Sequence, residues 1–371
     1  MPAIAGAYPL GPPGRSITIS PDALNGFFPT SHICNFALST NNIMSTTAIP
    51  QELVDEFIDI LANEGDVDSL RTLSQISHSF VVRCRQHLFA SINLQGSGEN
   101  EAQSLLQKVE RLHQVLLRAP EIVNYIHTLS FWVHKFNATA ACIISKLLLQ
   151  FSMINTFTLR SVTSSCKWTL IEPELRFAFS HLAYSPTLKK FTLLGLLSFP
   201  VTFFTGCTNI TDLKFSYCSM KKDHGSLEKS ERDSIAKLRN LTLCGHNRGV
   251  EKLIRGRRQD GSPILDISHL QTIYTEVYRP EALLATKELL NGASEIVSLS
   301  IQCAQSTISM TFPILNFFNS QRKIWLIECS IPNCQVSSDC QILDIGFHKS
   351  CLCPRRPSLW ALSRTNASGG K

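Results

Sequence analysis

From Pro50 onward the apolar residues recur at helical spacing. Leu53, Val54, Phe57, Ile58 and Leu61 fall on one face of a predicted helix, with Asp55, Glu56 and Asp59 turned away. Pro50 suits the first turn, where its missing N–H has no helical partner to lose. A second short helix carries Leu70 and Leu73 and can be capped by Asp66 or Asp68. A third carries Val81, Cys84 and Leu88 behind Ser77 or Ser79. Three helices in roughly forty residues enclose only a small core. Such a module shares its apolar face either with the next domain of the same chain or with another protein.

Beyond Gly96 and Gly98 the pattern changes. With Φ for an apolar residue, the unit Φ-x-x-Φ-x-Φ occurs as Ile126/Leu129/Phe131, Ile154/Phe157/Leu159, Leu188/Phe191/Leu193, Ile210/Leu213/Phe215, Leu238/Leu241/Leu243 and Ile296/Leu299/Ile301. A degraded copy is read at Ile267/Leu270, with Thr272 in the third place. The starts step by 28, 34, 22, 28, 29 and 29 residues. This is an irregular period at the long end of leucine-rich repeats, which run about 20–29 residues. Helical faces are expected between units, through Leu105, Val109, Leu112 and Leu116, through Ile143, Leu147 and Phe151, through Leu175, Phe179 and Leu182, and through Leu283, Leu289 and Leu290. A short strand plus a helix, repeated, predicts an α/β fold: a three-helix module followed by an irregular leucine-rich-repeat-like solenoid with a curved parallel sheet. The expected organisation is a disordered leader or extension over 1–44, the module over 45–95, the solenoid over 100–328, and an irregular tail over 329–371.

Charge changes this picture little. The formal net charge is +6 over 371 residues. Lys349, Arg355, Arg356, Arg364 and Lys371 supply five of those charges with no acid among them, leaving +1 for the first 344 residues. No basic groove for nucleic acid is implied. The N-terminal stretch lacks the pattern of a secretory signal, and the longest apolar run, from Phe191, is too short to span a bilayer and contains Pro200. The thirteen cysteines then read as free thiols of an intracellular protein, cytoplasmic or nuclear.

Catalytic motifs are missing. There is no Gly-x-Ser-x-Gly elbow, no His-Glu-x-x-His, no phosphate loop and no dinucleotide fingerprint. His181, His224 and His246 stand without partner motifs and read as surface or core residues. Cys329, Cys334 and Cys340 are spaced too widely for zinc pairs, and Cys351-x-Cys353 too tightly. The expectation is a protein without cofactor, metal or catalytic residues; an enzyme with an unrecognised site is the remote alternative. The basic run Ile254 to Gly261 and the mixed-charge stretch Tyr217 to Asp233 read as solvated loops.

The segment IPQELVDEFIDIL…SLRTLSQISHSFVVRCRQHLF resembles an F-box, in the variant common in fungal, especially basidiomycete, families. The positions that carry the likeness are Ile49, Pro50, Glu52, Leu53, Ile58, Leu61, Ser69, Leu70, Ser77, Arg85, Leu88 and Phe89, with Phe80 where many members have Trp. The resemblance continues through RLHQVLLRAPEIVNYIHTLSF and SPTLKKFTLLGLLSFPVTFFTGCTNITDLKFSYC, and covers roughly residues 45 to 305. It implies the substrate-recognition adaptor of a Skp/cullin/F-box ubiquitin ligase. The box would dock on the Skp-type subunit through Ile49, Pro50, Leu53, Val54, Ile58, Leu70 and Leu73, some of these being internal core instead. The repeats would bind a target protein on the concave strand face, and no nucleic acid or membrane partner is expected. The alternative is a solenoid interaction scaffold uncoupled from any ligase.

Overall fold

The computed structural model describes residues 49–96, 100–162, 166–221, 235–258, 260–277, 280–303 and 326–328. The leader, the C-terminal tail with its cysteines, and most of the mixed-charge stretch after Tyr217 lie outside the described residues. Three helices open the described chain: α1 (Gln51–Glu64), α2 (Val67–Ile76) and α3 (His78–Phe89). Pro50 sits just before α1, and its carbonyl accepts from the N–H groups of Leu53 and Val54. Asp66 caps α2 by accepting from Ser69 N–H at 3.1 Å. Ser77 caps α3.

A parallel sheet of nine described strands follows: β1 (Ser91–Leu94), β2 (Thr128–Val133), β3 (Thr156–Ser161), β4 (Lys190–Leu194), β5 (Asp212–Ser216), β6 (Asn240–Cys244), β7 (Thr272–Val277), β8 (Ser298–Cys303) and β9 (Leu326–Glu328). Spatial order is chain order, and every neighbouring pair is parallel. Parallel neighbours need a crossover. Among the described residues, helices supply it as α4 (Glu101–Arg118), α5 (Ala138–Leu148), α6 (Pro173–Ala183), the short α7 (Val250–Ile254) and α8 (Pro280–Gly292). Between β4 and β5 the crossover is the 3-10 helix Val201–Gly206 instead. Two-residue parallel pairs, such as Phe199–Pro200 with Met220–Lys221, extend the turns beyond the strands.

The core lies between this sheet and its helices. Strands alternate buried and half-exposed residues, so one sheet face packs inward and the other stays open. Phe157 and Phe191, from adjacent strands, stack at 5.5 Å, and Phe191 stacks again on Phe203 at 5.8 Å. Trp168 meets Phe199 edge-on at 4.6 Å. Offset and edge-on ring pairs of this kind add to the burial of large apolar areas.

A recurrent backbone device sets the strand register. Ala90 O accepts from the N–H groups of both His127 and Thr128; His127 O accepts from Asn155 and Thr156; Asn155 O accepts from Lys189 and Lys190. The same fork recurs from Lys189, Thr211, Arg239 and Gln271 to the next unit each time. In every case the acceptor directly follows the first Φ residue.

That device corrects the sequence reading at two places. The weak seventh unit is Leu270/Ile273/Thr275, not Ile267/Leu270/Thr272, because Gln271 carries the fork and Ile273 and Thr275 point into the core. An eighth unit, Phe89/Ile92/Leu94, was unrecognised; all three residues are buried and β1 pairs with β2. The sheet therefore begins inside the segment expected to belong to the module. On α5, Ile144 rather than Ile143 is fully buried.

A second recurrence closes the strands. Gly195, Tyr217 and Gly245 occupy equivalent places with φ of 69°, 54° and 68°. Gly195 N–H donates to Ser216 O at 2.8 Å and Tyr217 N–H to Cys244 O at 3.2 Å. At Gly245 the acceptor is the Glu276 carboxylate, at 2.5 Å, whose other oxygen accepts from Tyr274 Oη.

The basic run is less free than expected. The guanidinium of Arg255 pairs with Glu288 on α8, and Arg258 donates to Thr205 O at 3.2 Å. These contacts tie the loop to neighbouring crossovers. Among the described residues no helix is long and apolar enough to cross a membrane.

Candidate functional site

Helix α1 has two apolar faces, and the second is the candidate site. Its inner face buries Ile58 completely against the core. Leu53, Phe57 and Ile60, spaced four and three residues apart, stand on the outer side at 56%, 52% and 48% exposure. Ile49, just before the helix, is 70% exposed. An apolar groove of about 180 Å³ lies here, lined by Ile49, Leu53, Val54, Phe57, Ile58, Leu73 and Phe80. Isolated exposed apolar residues are ordinary on protein surfaces. Here they do not stand singly but line one contiguous apolar groove.

The seven docking residues expected from the sequence divide on this geometry. Ile49, Pro50 and Leu53 are exposed, and Val54 and Leu73 are half-buried. Ile58 and Leu70 have no accessible surface, because each lies on the inward face of its helix. They belong to internal packing: Ile58 is the groove's floor, and Leu70 does not line it. Phe57 and Phe80 complete the lining and were not among the expected residues. For Phe57 the signal was present in its i, i+4 relation to Leu53. It was obscured because Phe57 also fits the inward-facing pattern.

An ionic staple holds the helices that shape the groove. Asp59 on α1 accepts from Arg83 Nε at 2.7 Å and Nη2 at 2.5 Å, and His87 Nε2 lies 2.7 Å from Asp59 Oδ1. The Arg83 hydrogen bonds hold the Asp59 carboxyl down at about 2, against the opposing cost of burial, with His87 adding to the lowering. The carboxylate is charged at all ordinary pH, and α1 and α3 stay clamped.

Other chemistry is sparse. Among the described residues no group of three or more His, Cys, Asp or Glu could hold a metal ion. Among the described residues Cys84, Cys142, Cys166, Cys207, Cys218 and Cys244 form no disulfide. Burial pushes Cys84 and Cys244 up to about 11, so neither is a thiolate near neutrality. His134 is kept toward its neutral form by burial, partly offset by Glu101. A cavity of about 340 Å³ lies where β6 and β7 end, between the Gly245–Lys252 turn and α8. Its polar groups include the Glu276 carboxylate already engaged by Gly245 and Tyr274. The Glu276 carboxylate thus serves to close the turn after β6.

No protein-family model, no curated protein and no solved structure matches this chain.

Proposed function

We propose that this chain is an adaptor of a Skp/cullin-type ubiquitin ligase. In this reading α1–α3 form an F-box, the sheet and its crossovers form a leucine-rich-repeat-like solenoid, and the open strand face receives a target protein. The observation that carries the reading is the exposed apolar groove along α1, on a module too small to need a second apolar face for itself. A hydrophobic partner helix laid into that groove would complete the core, which is how amphipathic helices dock. The solenoid assignment is supported by the fork of hydrogen bonds repeated from unit to unit and by the strand order following chain order. The adaptor itself performs no chemistry; it raises the local concentration of target beside a ligase. Such a role places it inside the cell, in cytoplasm or nucleus.

The test is co-purification of the full chain with the Skp-type subunit of its host. Leu53→Asp and Phe57→Asp place a charge in the groove at positions more than half exposed, so both variants should fold, as circular dichroism would report. Capture by the parent and its loss in both variants is the expected result. Truncation is milder: each buried apolar anchor is worth about 1.5–3 kcal/mol, so Leu53→Ala should weaken capture by roughly ten- to a hundredfold. A folded parent that captures nothing refutes the adaptor reading. Ile58→Asp is unsuitable as a probe, because it would bury an unpaired charge and unfold the module.

A further inference from the structure

The open face of the sheet carries the half-exposed strand residues, and their register makes a continuous row. Ser130, Thr158, Thr192, Lys214 and Thr242 are successive register partners across β2 to β6. With strands about 4.8 Å apart, the row runs roughly 19 Å. Its side chains are short or flexible and bear hydroxyl or ammonium groups, so the floor offers hydrogen bonds along its whole length without bulk.

Three cations stand on this face: Arg160 on β3, Lys190 on β4 and Lys214 on β5. Trp132 and Arg160 are register partners, and the guanidinium carbon lies 4.2 Å from the Trp132 ring centroid. Stacking of this kind orients a guanidinium while leaving its N–H groups along the plane edge available. Among the described residues Arg160, Lys190 and Lys214 make no ion pair. The one acid at an open-face position on β2 to β6 is Asp212. Its carboxylate accepts from Asn240 Nδ2 at 2.7 Å and Thr211 Oγ1 at 2.6 Å. Lys190 is the register partner of Asp212 across β4 and β5, so the uncompensated positive charge of this face lies on Arg160 and Lys214, on a body that is otherwise near neutral.

We propose that this face takes an extended acidic segment of a target protein, with one of its carboxylates lying edge-on against Arg160. An extended peptide needs partners for its backbone N–H and C=O groups, and the hydroxyl row supplies them. A carboxylate accepts two parallel N–H bonds from a guanidinium, and stacking on Trp132 has already fixed the plane in which they form. Nucleic acid is disfavoured because the ring that could stack a base is covered by Arg160. The proposal rests on the reading of the open face as the target surface.

The probe is a fluorescein-labelled peptide of about twelve residues alternating Glu and Ser, compared with its Gln–Ser counterpart and a single-stranded oligonucleotide. Anisotropy is read on the full chain at about 50 mM and about 300 mM salt. The acidic peptide should bind at least about tenfold more tightly than the neutral one, and the preference should shrink at the higher salt. Arg160→Gln should weaken it about tenfold, and Trp132→Leu, which keeps the guanidinium but removes its platform, about threefold. Equal binding of the two peptides, tighter binding of the oligonucleotide, insensitivity to Arg160→Gln, or no binding to the folded chain at about 1 mM peptide would each overturn the proposal. Capture of the Skp-type subunit, measured on the same preparations, reports on the adaptor reading separately. Failed peptide binding with intact capture sinks this inference alone.

Discussion

Gly245→Ala separates two costs that the structure superimposes on one residue. The first is conformational: Gly245 has φ of 68°, a left-handed backbone that costs an Ala about 1–2 kcal/mol. Part of this is returned, because Ala restricts the unfolded chain by about 0.4–1 kcal/mol more than Gly. The second is steric. A Cβ built on Gly245 would lie 2.7 Å from two carbons of the Tyr217 ring, closer than carbon atoms approach. Overpacking of this kind costs about 1–3 kcal/mol, at the lower end if the ring, 46% exposed, can swing outward. The single variant should lose about 1.5–4 kcal/mol in urea denaturation followed by circular dichroism. In the background of Tyr217→Ala the same change should cost only about 0.5–1 kcal/mol, since the conformational part alone remains. An equal penalty in both backgrounds would refute the steric argument. A single variant within about 0.5 kcal/mol of the parent would refute the whole account of this turn.

The ionic staple and the aromatic core give two further expectations. Because Asp59 is held at about 2 when folded, against 3.8 for the ordinary side chain, its contribution is complete above pH 3.8 and is lost as pH falls through about 2. The carboxylate is about one-third exposed, so the contribution is discounted to about 1 kcal/mol. Arg83→Met should remove most of that acid sensitivity in a pH series of urea midpoints, His87 keeping the remainder, and an unchanged profile would contradict it. Phe191→Ala removes a fully buried ring stacked on two others and should cost about 3–5 kcal/mol. Phe177→Ala, 66% exposed on α6, should stay within about 0.5 kcal/mol, and comparable losses in the two would mean the sheet-facing stack is not the core.

Strands that bury Leu, Ile or Phe at both inward places were legible because period-two alternation and the first Φ residue agree. At β7 the third inward place is Thr275, 1% exposed, and a polar residue there broke the pattern. The reading slid three residues upstream to the nearest apolar pair, and only the hydrogen-bond fork at Gln271 fixes the register. The first unit was hidden for a different reason: Phe89 also ends a helix, so its sequence signal was absorbed by α3. On α1 the helical period was clear, but eight apolar residues lie in and just before a fourteen-residue helix, more than one face accommodates. Sorting Ile58 from Phe57 needs the position of α3, which one helix's sequence does not contain.

Phe89 has a mechanical consequence. It is the last residue of α3 and the opening residue of the first strand unit, and Ala90 alone separates helix from strand while its carbonyl starts the hydrogen-bond series. Arg85, one turn earlier, reaches Glu121 beside the next strand. Three-helix module and sheet are thus joined without a hinge, by a covalent splice and a lateral brace. Whatever settles in the α1 groove would share a fixed bearing with whatever settles on the strands. Lengthening the splice by a few glycines would slacken that bearing while leaving both surfaces intact.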